Sequence, residues 1–286
     1  MIWSSVFIAI KVGLDDSSPA AFTVLRVVVA MAALGPILAL SPRHRTALRS
    51  LPAHRAGVVL GLSVIAGFMI LQTVGLDSAD VGVAAVLIYV QPFLVAIGAV
   101  PLLRETLSVR QGLGLVAGWG GVLLIVVREL DFGGTPLHAI LVLLAAAGCW
   151  AFGTLAFRAI DTPASPLLIV FLACLYGLPA LLVFAALSDA RVVWTSELVL
   201  MSSWAGVGGI VLGFGLQFTL LRRGKAGVVS SWIFPVPVLA GFLGVLLLGE
   251  APRMELALGA SAVALGIYLV NASGKQHGPS AVAEPD

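Results

Sequence analysis

Apolar residues dominate this chain in runs about as long as a bilayer is thick, and the polar residues gather between these runs. Crossing ~30 Å of hydrocarbon takes about 20 helical residues. By that measure the pattern predicts nine adequate spans after a short first one. They are predicted at Pro19–Leu40, Ala56–Val74, Val81–Leu103, Gln111–Val127, His138–Ala156, Pro166–Leu187, Leu198–Leu221, Ala226–Leu248 and Met254–Val270. The predicted fold class is therefore an all-α polytopic membrane protein with ten transmembrane helices.

The first apolar run, Met1 to Gly13, is too short to cross a bilayer. Its counterpart in the second half of the chain begins near His138, about ten residues before the position that matches Met1. We therefore expect about ten further residues upstream of Met1.

The pattern is duplicated along the chain. Trp3, Lys11 and Pro19 recur 147 residues later as Trp150, Arg158 and Pro166. A second set recurs 145 residues later: Gln72, Gly82, Pro92, Glu105, Gly114 and Gly121 return as Gln217, Gly227, Pro237, Glu250, Gly259 and Gly266. The chain is thus predicted to hold two repeats of five helices, residues 1–127 and 138–271, with a linker at 128–137 and a disordered cytoplasmic tail at 272–286.

The basic residues of the loops predict the orientation. With a cytoplasmic amino terminus, eleven Lys and Arg residues fall on the cytoplasmic side and four on the other. The cytoplasmic eleven are Arg43, Arg45, Arg49, Arg55, Arg104, Arg110, Arg158, Arg222, Arg223, Lys225 and Lys275, and the other four are Lys11, Arg128, Arg191 and Arg253. Both termini are therefore predicted to be cytoplasmic in the inner (plasma) membrane. The basic loops exchange sides between the two halves, which predicts an inverted repeat.

Composition narrows the function classes. The chain is 60% hydrophobic and 10% charged, with a mean hydropathy of +1.10, unlike a soluble domain. Its net charge of +2 gives no reason to expect a nucleic-acid partner. The four His residues are scattered, no metal-ligand spacing or phosphate-binding loop occurs, and Cys149 and Cys174 lie in apolar runs. We expect no catalytic site, metal or cofactor; the expected partners are the lipid bilayer and a small-molecule substrate, and oligomeric state is left open.

Polar and aromatic side chains within the spans are the candidates for a substrate path. Gln72 and Gln217 occupy matching positions and either bind a polar substrate or bond neighbouring helices. Trp3 and Trp150 either line a central cavity or lie at the membrane interface. Further candidates are Tyr89, Gln91 and Trp232.

Arg26 stands about 10 Å into the second span by helical rise. It either attracts an anionic substrate group, pairs with a loop carboxylate such as Asp80, or extends to the nearer interface. Pro92, Pro235 and Pro237 lie inside the fourth and ninth spans, where each removes a helix hydrogen bond and permits a kink or hinge.

The order and spacing of these positions resemble the EamA branch of the drug/metabolite transporter superfamily, whose members have ten helices in two inverted repeats. The residues that carry the resemblance are Trp3, Lys11, Pro19, Arg26, Gln91 with Pro92, Trp150, Arg158, Gln217, Gly227, Pro237 and Glu250. The second repeat departs from the first in having Ala173 where the first has Arg26. The resemblance implies export of metabolites or drug-like compounds by alternating access and identifies no ligand.

All fourteen carboxylates fall in loops, at helix ends or in the tail, so proton coupling through an acid inside the membrane is not expected. The apolar, aromatic interior favours amino-acid-like or drug-like amphipathic compounds over sugar phosphates. The alternatives are a lipid or lipid-linked sugar translocator and a non-transport membrane scaffold.

Overall fold

The computed structural model of this protein describes residues 2–40, 48, 50–104, 108–132, 135–223, 236–251 and 254–272. Within these residues the structure is helical, apart from one antiparallel bridge between Ser17 and Val192. The helices are α1 Ile2–Gly13, α2 Pro19–Ala39, α3 Leu51–Asp77, α4 Val81–Leu103, α5 Val109–Phe132, α6 Leu137–Ala159, α7 Pro166–Leu187, α8 Ser196–Arg223, α9 Val236–Leu248 and α10 Met254–Ala272.

Six of these helices, α2, α3, α4, α6, α7 and α8, are long and apolar enough to cross a membrane. Large apolar side chains also cover the outer surface, as at Leu40, Val116 and Leu187, which are 85%, 73% and 84% exposed. An apolar exterior of this kind is stable against lipid and unfavourable in water. The fold is that of a polytopic membrane protein.

Two helices begin with the same local signal. Ser18 and Ser165 accept hydrogen bonds from the backbone N–H groups of Ala21 and Leu168, and a proline follows each serine at the first helical position. A serine cap with proline at this position is a common helix start, because the proline lacks an N–H that would have no partner there. The predicted starts of α2 and α7 match these caps.

The third helix is longer than predicted, beginning at Leu51 and not at Ala56. Its first turns contain a histidine, which the hydropathy pattern assigned to the loop. The ring nitrogens of His54 lie 2.7 Å from the Tyr176 hydroxyl and 2.6 Å from the Leu48 carbonyl oxygen. Because both ring nitrogens of His54 have hydrogen-bond partners, the helix can include this polar residue and begins before it.

The fourth helix is interrupted at Tyr89 and Val90, which separate Val81–Ile88 from Gln91–Leu103. Pro92 explains the position of the break, because a proline ring clashes with the carbonyl four residues earlier, here that of Ile88. The break places Tyr89 at a bend within the bundle.

Helices α3 and α8 each contain a segment of wider, π-helical turns, at Gly61–Phe68 and Ala205–Phe214. With the 145-residue offset, Gly61 corresponds to Gly206, so the two segments occupy equivalent places in the two halves. Widened turns of this kind are frequent at functional sites.

The last helices of the two halves, α5 and α10, pack backbone to backbone through glycine. A methyl group on Gly121 would lie 2.7 Å from the Gly259 carbonyl oxygen, and one on Gly266 would lie 2.5 Å from the Gly114 carbonyl oxygen. Small residues at such positions allow membrane helices to approach closely. Helix α5 continues to Phe132, beyond the predicted end of its span at Val127.

Hydrogen bonds join the two halves of the chain between residues 16–18, which precede α2, and residues 191–195, which precede α8. The Ser18 N–H donates to the Arg191 carbonyl oxygen over 3.0 Å, and the Val193 N–H donates to the Asp16 carbonyl oxygen over 2.8 Å. The Thr195 hydroxyl donates to the Asp16 carboxylate. These bonds tie two connections that are far apart in sequence.

Candidate functional site: a central aromatic cavity with one buried cation

A cavity in the middle of the bundle is lined by side chains from both halves of the chain. The fourteen lining residues come from α1, α2, α3, α4, α6 and α8: Trp3, Val6, Phe7, Arg26, Phe68, Met69, Gln72, Ile88, Tyr89, Trp150, Ala205, Gly209, Ile210 and Phe214. The space that the centre of a water molecule can reach is about 20 Å³. The cavity in this conformation is therefore small, with room for one or two water molecules.

Six of the fourteen residues of the cavity wall are aromatic. The Trp150 ring is central to this wall, and its edge-on or tilted neighbours lie at centroid distances of 5.3 Å for Trp3, 5.1 Å for Phe68, 5.7 Å for Tyr89 and 6.2 Å for Phe214. These separations fall in the favourable range for aromatic pairs. This part of the wall is therefore a cluster of aromatic rings that offers largely apolar contacts to a ligand.

The only formally charged group among the lining residues is Arg26, which is 2% exposed. Its side chain turns inward and does not reach for an interface. Nη1 donates to Gln72 Oε1 over 3.2 Å, and Nη2 donates to the Met69 carbonyl oxygen and Thr73 Oγ1 over 3.0 and 2.9 Å. All three acceptors are on α3, so Arg26 joins α2 to α3 at the cavity.

The two predicted tryptophans both line the cavity and differ in hydrogen bonding. Trp3 Nε1 donates to the Gly209 carbonyl oxygen over 3.2 Å and so links α1 to α8. Trp150 is 2% exposed, and its Nε1 has no partner among the described residues. An indole N–H left in this state is costly in an apolar interior unless a ligand accepts from it.

The two predicted glutamines have different surroundings. Gln72 lines the cavity and accepts from Arg26, whereas Gln217 is buried outside the lining and its Oε1 has no partner among the described residues. The difference follows from the sequence, because Ala173 occupies the position equivalent to Arg26 and offers no donor. The cavity is thus polar on one side only.

The remaining candidates are distributed around this centre. Tyr89 lines the cavity beside the break in α4. Gln91 is fully buried outside the lining, where Nε2 donates to Thr154 Oγ1 over 3.1 Å. Pro92 and Pro237 are buried near the starts of helical segments. Trp232 and Pro235 lie outside the described residues.

Several lining residues escaped the sequence analysis, because in the sequence they read as ordinary apolar residues. Phe68 and Met69 precede Gln72 by four and three residues, the spacing that places side chains on one helix face. Phe214 stands three residues before Gln217 in the same way. The helical spacing of these three apolar residues from the paired glutamines is the sequence feature that could have identified them as lining residues.

Basic side chains cap the ends of two equivalent helices. Lys11 Nζ donates over 2.9 Å to the carbonyl oxygens of Leu76 and Ala79, at the end of α3. Arg158 Nη1 donates over 3.0 Å to the Leu221 carbonyl oxygen, at the end of α8. Cations stabilise helix carboxyl ends by binding the free carbonyl groups.

Glu250, which follows α9, caps the beginning of α4. Its Oε1 accepts from the Val81 N–H over 2.6 Å, next to Asp80. Burial raises the pKa of the Glu250 carboxyl above its ordinary value, and the negative charge of Asp80 raises it further. The Val81 N–H and the Lys11 ammonium act in the opposite direction without cancelling the rise.

This raised pKa predicts a pH dependence of stability. The folded chain binds a proton on Glu250 more tightly than the unfolded chain does. Protonated Glu250 therefore stabilises the fold at low pH, and this stabilisation is lost as the pH rises through the folded-state pKa. Over this increase in pH, we expect the Tm of the wild type to fall by about 1 to 3 °C relative to that of Glu250→Gln. Thermal unfolding of both purified proteins at a series of pH values measures the difference. The exposed Glu197→Gln is the control, and curves for Glu250→Gln and wild type that stay parallel would contradict the prediction.

Comparison with known proteins supplies the family. The sequence model of the EamA-like transporter family matches residues 1–127 and 137–272. The uncharacterized transporter YoaV of Bacillus subtilis is 29% identical over 94% of this chain and 92% of its own length. A probable amino-acid metabolite efflux pump of Salmonella typhimurium is 26% identical over 94% of this chain and 91% of its own.

A solved crystal structure shares the fold, with a TM-score of 0.71 and 20% identity over 96% of this chain and 93% of that one. The family model covers nearly all of the chain in two parts, and the chain has the helices and the apolar exterior of a multi-pass membrane protein. It therefore belongs to the EamA-like transporter family of the drug/metabolite transporter superfamily.

Proposed function

We propose that this protein exports small amphipathic metabolites across the cytoplasmic membrane by alternating access. The observation that carries the proposal is the small central cavity, lined from both halves of the chain by aromatic rings and one buried arginine. A site at the interface of two repeats suits a carrier that opens to one side at a time. The Salmonella relative named as an efflux pump supports export as the direction.

The alternating mechanism requires two halves that exchange roles. We infer that residues 1–127 and 138–271 are inverted five-helix repeats and that both termini are cytoplasmic. Two matched contacts support the duplication: Lys11 binds the Leu76 carbonyl oxygen in the first half, and Arg158 binds that of Leu221 in the second, at offsets of 147 and 145 residues. The equivalent widened turns of α3 and α8 support it as well.

Metabolite profiling of medium and cytoplasm tests the proposed function. We expect at least one small amphipathic compound to accumulate in the medium of cells that express the wild-type protein, relative to cells that carry the empty vector. Gln72→Ala removes a cavity side chain and an Arg26 partner, so we expect it to lower this accumulation about tenfold. The lipid-facing Phe152→Ala, at a residue that is 59% exposed, is the matched control and should behave as wild type.

Two results would contradict the proposal. The first is equal profiles for vector and wild type when the protein is present in the membrane. The second is a change in the distribution of lipids between leaflets without any change in small molecules, which would favour a lipid translocator.

A further inference from the structure

The buried guanidinium of Arg26 has no charged partner in its hydrogen bonds. Its three acceptors are an amide oxygen, a backbone carbonyl oxygen and a hydroxyl, all of them neutral. Arginine is charged at neutral pH, and a buried charge with neutral partners only is costly. The cavity therefore holds one net positive charge that an anionic ligand would neutralise.

The unsatisfied buried polar atoms of the lining residues are hydrogen-bond donors. Arg26 Nε and Trp150 Nε1 are buried and have no partner among the described residues, and both side chains line this cavity. The acceptor on Gln72 is already used by Arg26, and the donor on Trp3 by Gly209. A ligand group that accepts hydrogen bonds and carries negative charge matches this pattern.

The lining has no carboxylate with which to neutralise a cationic group on the ligand, since none of the fourteen lining residues is Asp or Glu. An ammonium group would also add positive charge near Arg26. A phosphate monoester carries nearly two negative charges and is usually bound by several donors or cations. One arginine balances one carboxylate, which selects a monoanion.

The rest of the wall favours a flat or branched apolar ligand body. The rings of Trp3 and Phe214 pack edge-on against Trp150, and the Phe68 ring lies tilted against it. An apolar ligand body, planar or branched, can pack against these rings. We propose that the substrate is a monocarboxylate with an aromatic or branched apolar body and without an ammonium group. This inference rests on the proposed function and narrows it, because it disfavours zwitterionic amino acids.

Four ligands with nearly the same body and different charges test the inference: 3-phenylpropionate, phenylalanine, 2-phenylethylamine and 3-phenylpropan-1-ol. Binding to the purified full-length protein is measured by calorimetry at neutral pH. We expect 3-phenylpropionate to bind about tenfold or more tightly than each of the other three. Tighter or equal binding of phenylalanine, or binding of none of the four, would overturn the proposed substrate class.

Substitutions of cavity residues then test whether the preference for the acid over the alcohol arises in the cavity. Arg26→Gln should bring the affinities for the acid and the alcohol together, whereas Arg26→Lys keeps the charge and should keep part of the difference. Trp150→Phe should weaken binding of the acid several-fold and leave the alcohol unchanged. Arg110→Gln, at an exposed arginine of α5, should leave the preference intact.

The variants give separate outcomes for the substrate class and for export. A preference for the acid that persists in Arg26→Gln and Trp150→Phe would overturn the inference; if Arg26→Gln does not fold, Arg26→Lys and Trp150→Phe still decide. Metabolite export with no acid preference would overturn the substrate class and leave export standing. A preference for the acid that depends on Arg26, found without any export, would overturn the proposed export and leave the substrate class standing.

Discussion

Replacing Trp150 with alanine is expected to lower the rate of export about tenfold or more. The Trp150 ring contacts four other aromatic rings of the cavity, two from α3 and α8 and two from α1 and α4. Its removal leaves an enlarged, irregular cavity in which neither a ligand nor the neighbouring rings are held in place. Export of the compound found by metabolite profiling measures the effect, at matched amounts of protein in the membrane.

Two further substitutions separate loss of transport from loss of folding. Trp150→Phe keeps a ring and most of the packing, so we expect its export to lie between those of Trp150→Ala and the wild type. Phe152→Ala, on the lipid-facing side of the same helix, removes a ring from outside the cavity and should retain full export. Export by well-folded Trp150→Ala at the wild-type rate would show that this ring has no part in the path.

Replacing Gly266 with valine is expected to separate α5 from α10 and to lower the Tm by about 5 to 10 °C. The added Cβ would lie 2.5 Å from the Gly114 carbonyl oxygen and 2.6 Å from the Gly118 nitrogen. Both are backbone atoms, which cannot rotate away as a side chain could, so the helices themselves must move apart. Thermal unfolding of the purified variant measures this loss, with the yield of monodisperse protein as a second readout.

The matched control is Gly120→Val on α5. A Cβ at Gly120 meets no atom within 4 Å, so the same chemical change should leave the Tm within about 2 °C of the wild type. Equal values of Tm for Gly266→Val and Gly120→Val would contradict the packing of α5 against α10 described above.

The sequence predicted a large part of this fold, because helix starts and apolar lengths are local properties. The apolar runs that begin at Pro19 and Pro166 predicted the starts of α2 and α7 correctly. The extension of α3 to Leu51 could not be predicted, since it depends on partners of His54 that come from α7 and from the preceding loop. The break at Tyr89 was predictable from Pro92, because the proline ring excludes the carbonyl four residues earlier, that of Ile88.

The candidate site was predictable where repetition or polarity singled out a residue. Trp3 and Trp150 stood out because they repeat, and Arg26 because it is a cation within a span. The sequence left the direction of Arg26 open, and its acceptors on α3 settle that direction. Phe68 and Phe214 were missed because an apolar side chain at a cavity and one facing lipid look alike in sequence.

Arg26 and Ala173 occupy equivalent positions in the two halves of the chain, and this difference makes the charge distribution of the bundle asymmetric. Ala173 is 1% exposed and lies where α7 approaches α3 closely, since a methyl group on Gly61 would lie 2.8 Å from the Ala173 carbonyl oxygen. It carries no hydrogen-bonding or charged side-chain group. Among the lining residues, the α2–α3 side therefore carries the charge, at Arg26. If the protein works by alternating access, as we propose, the charged end of a bound anion stays at Arg26 while the two membrane faces open in turn, so the molecule crosses the bilayer without turning end over end.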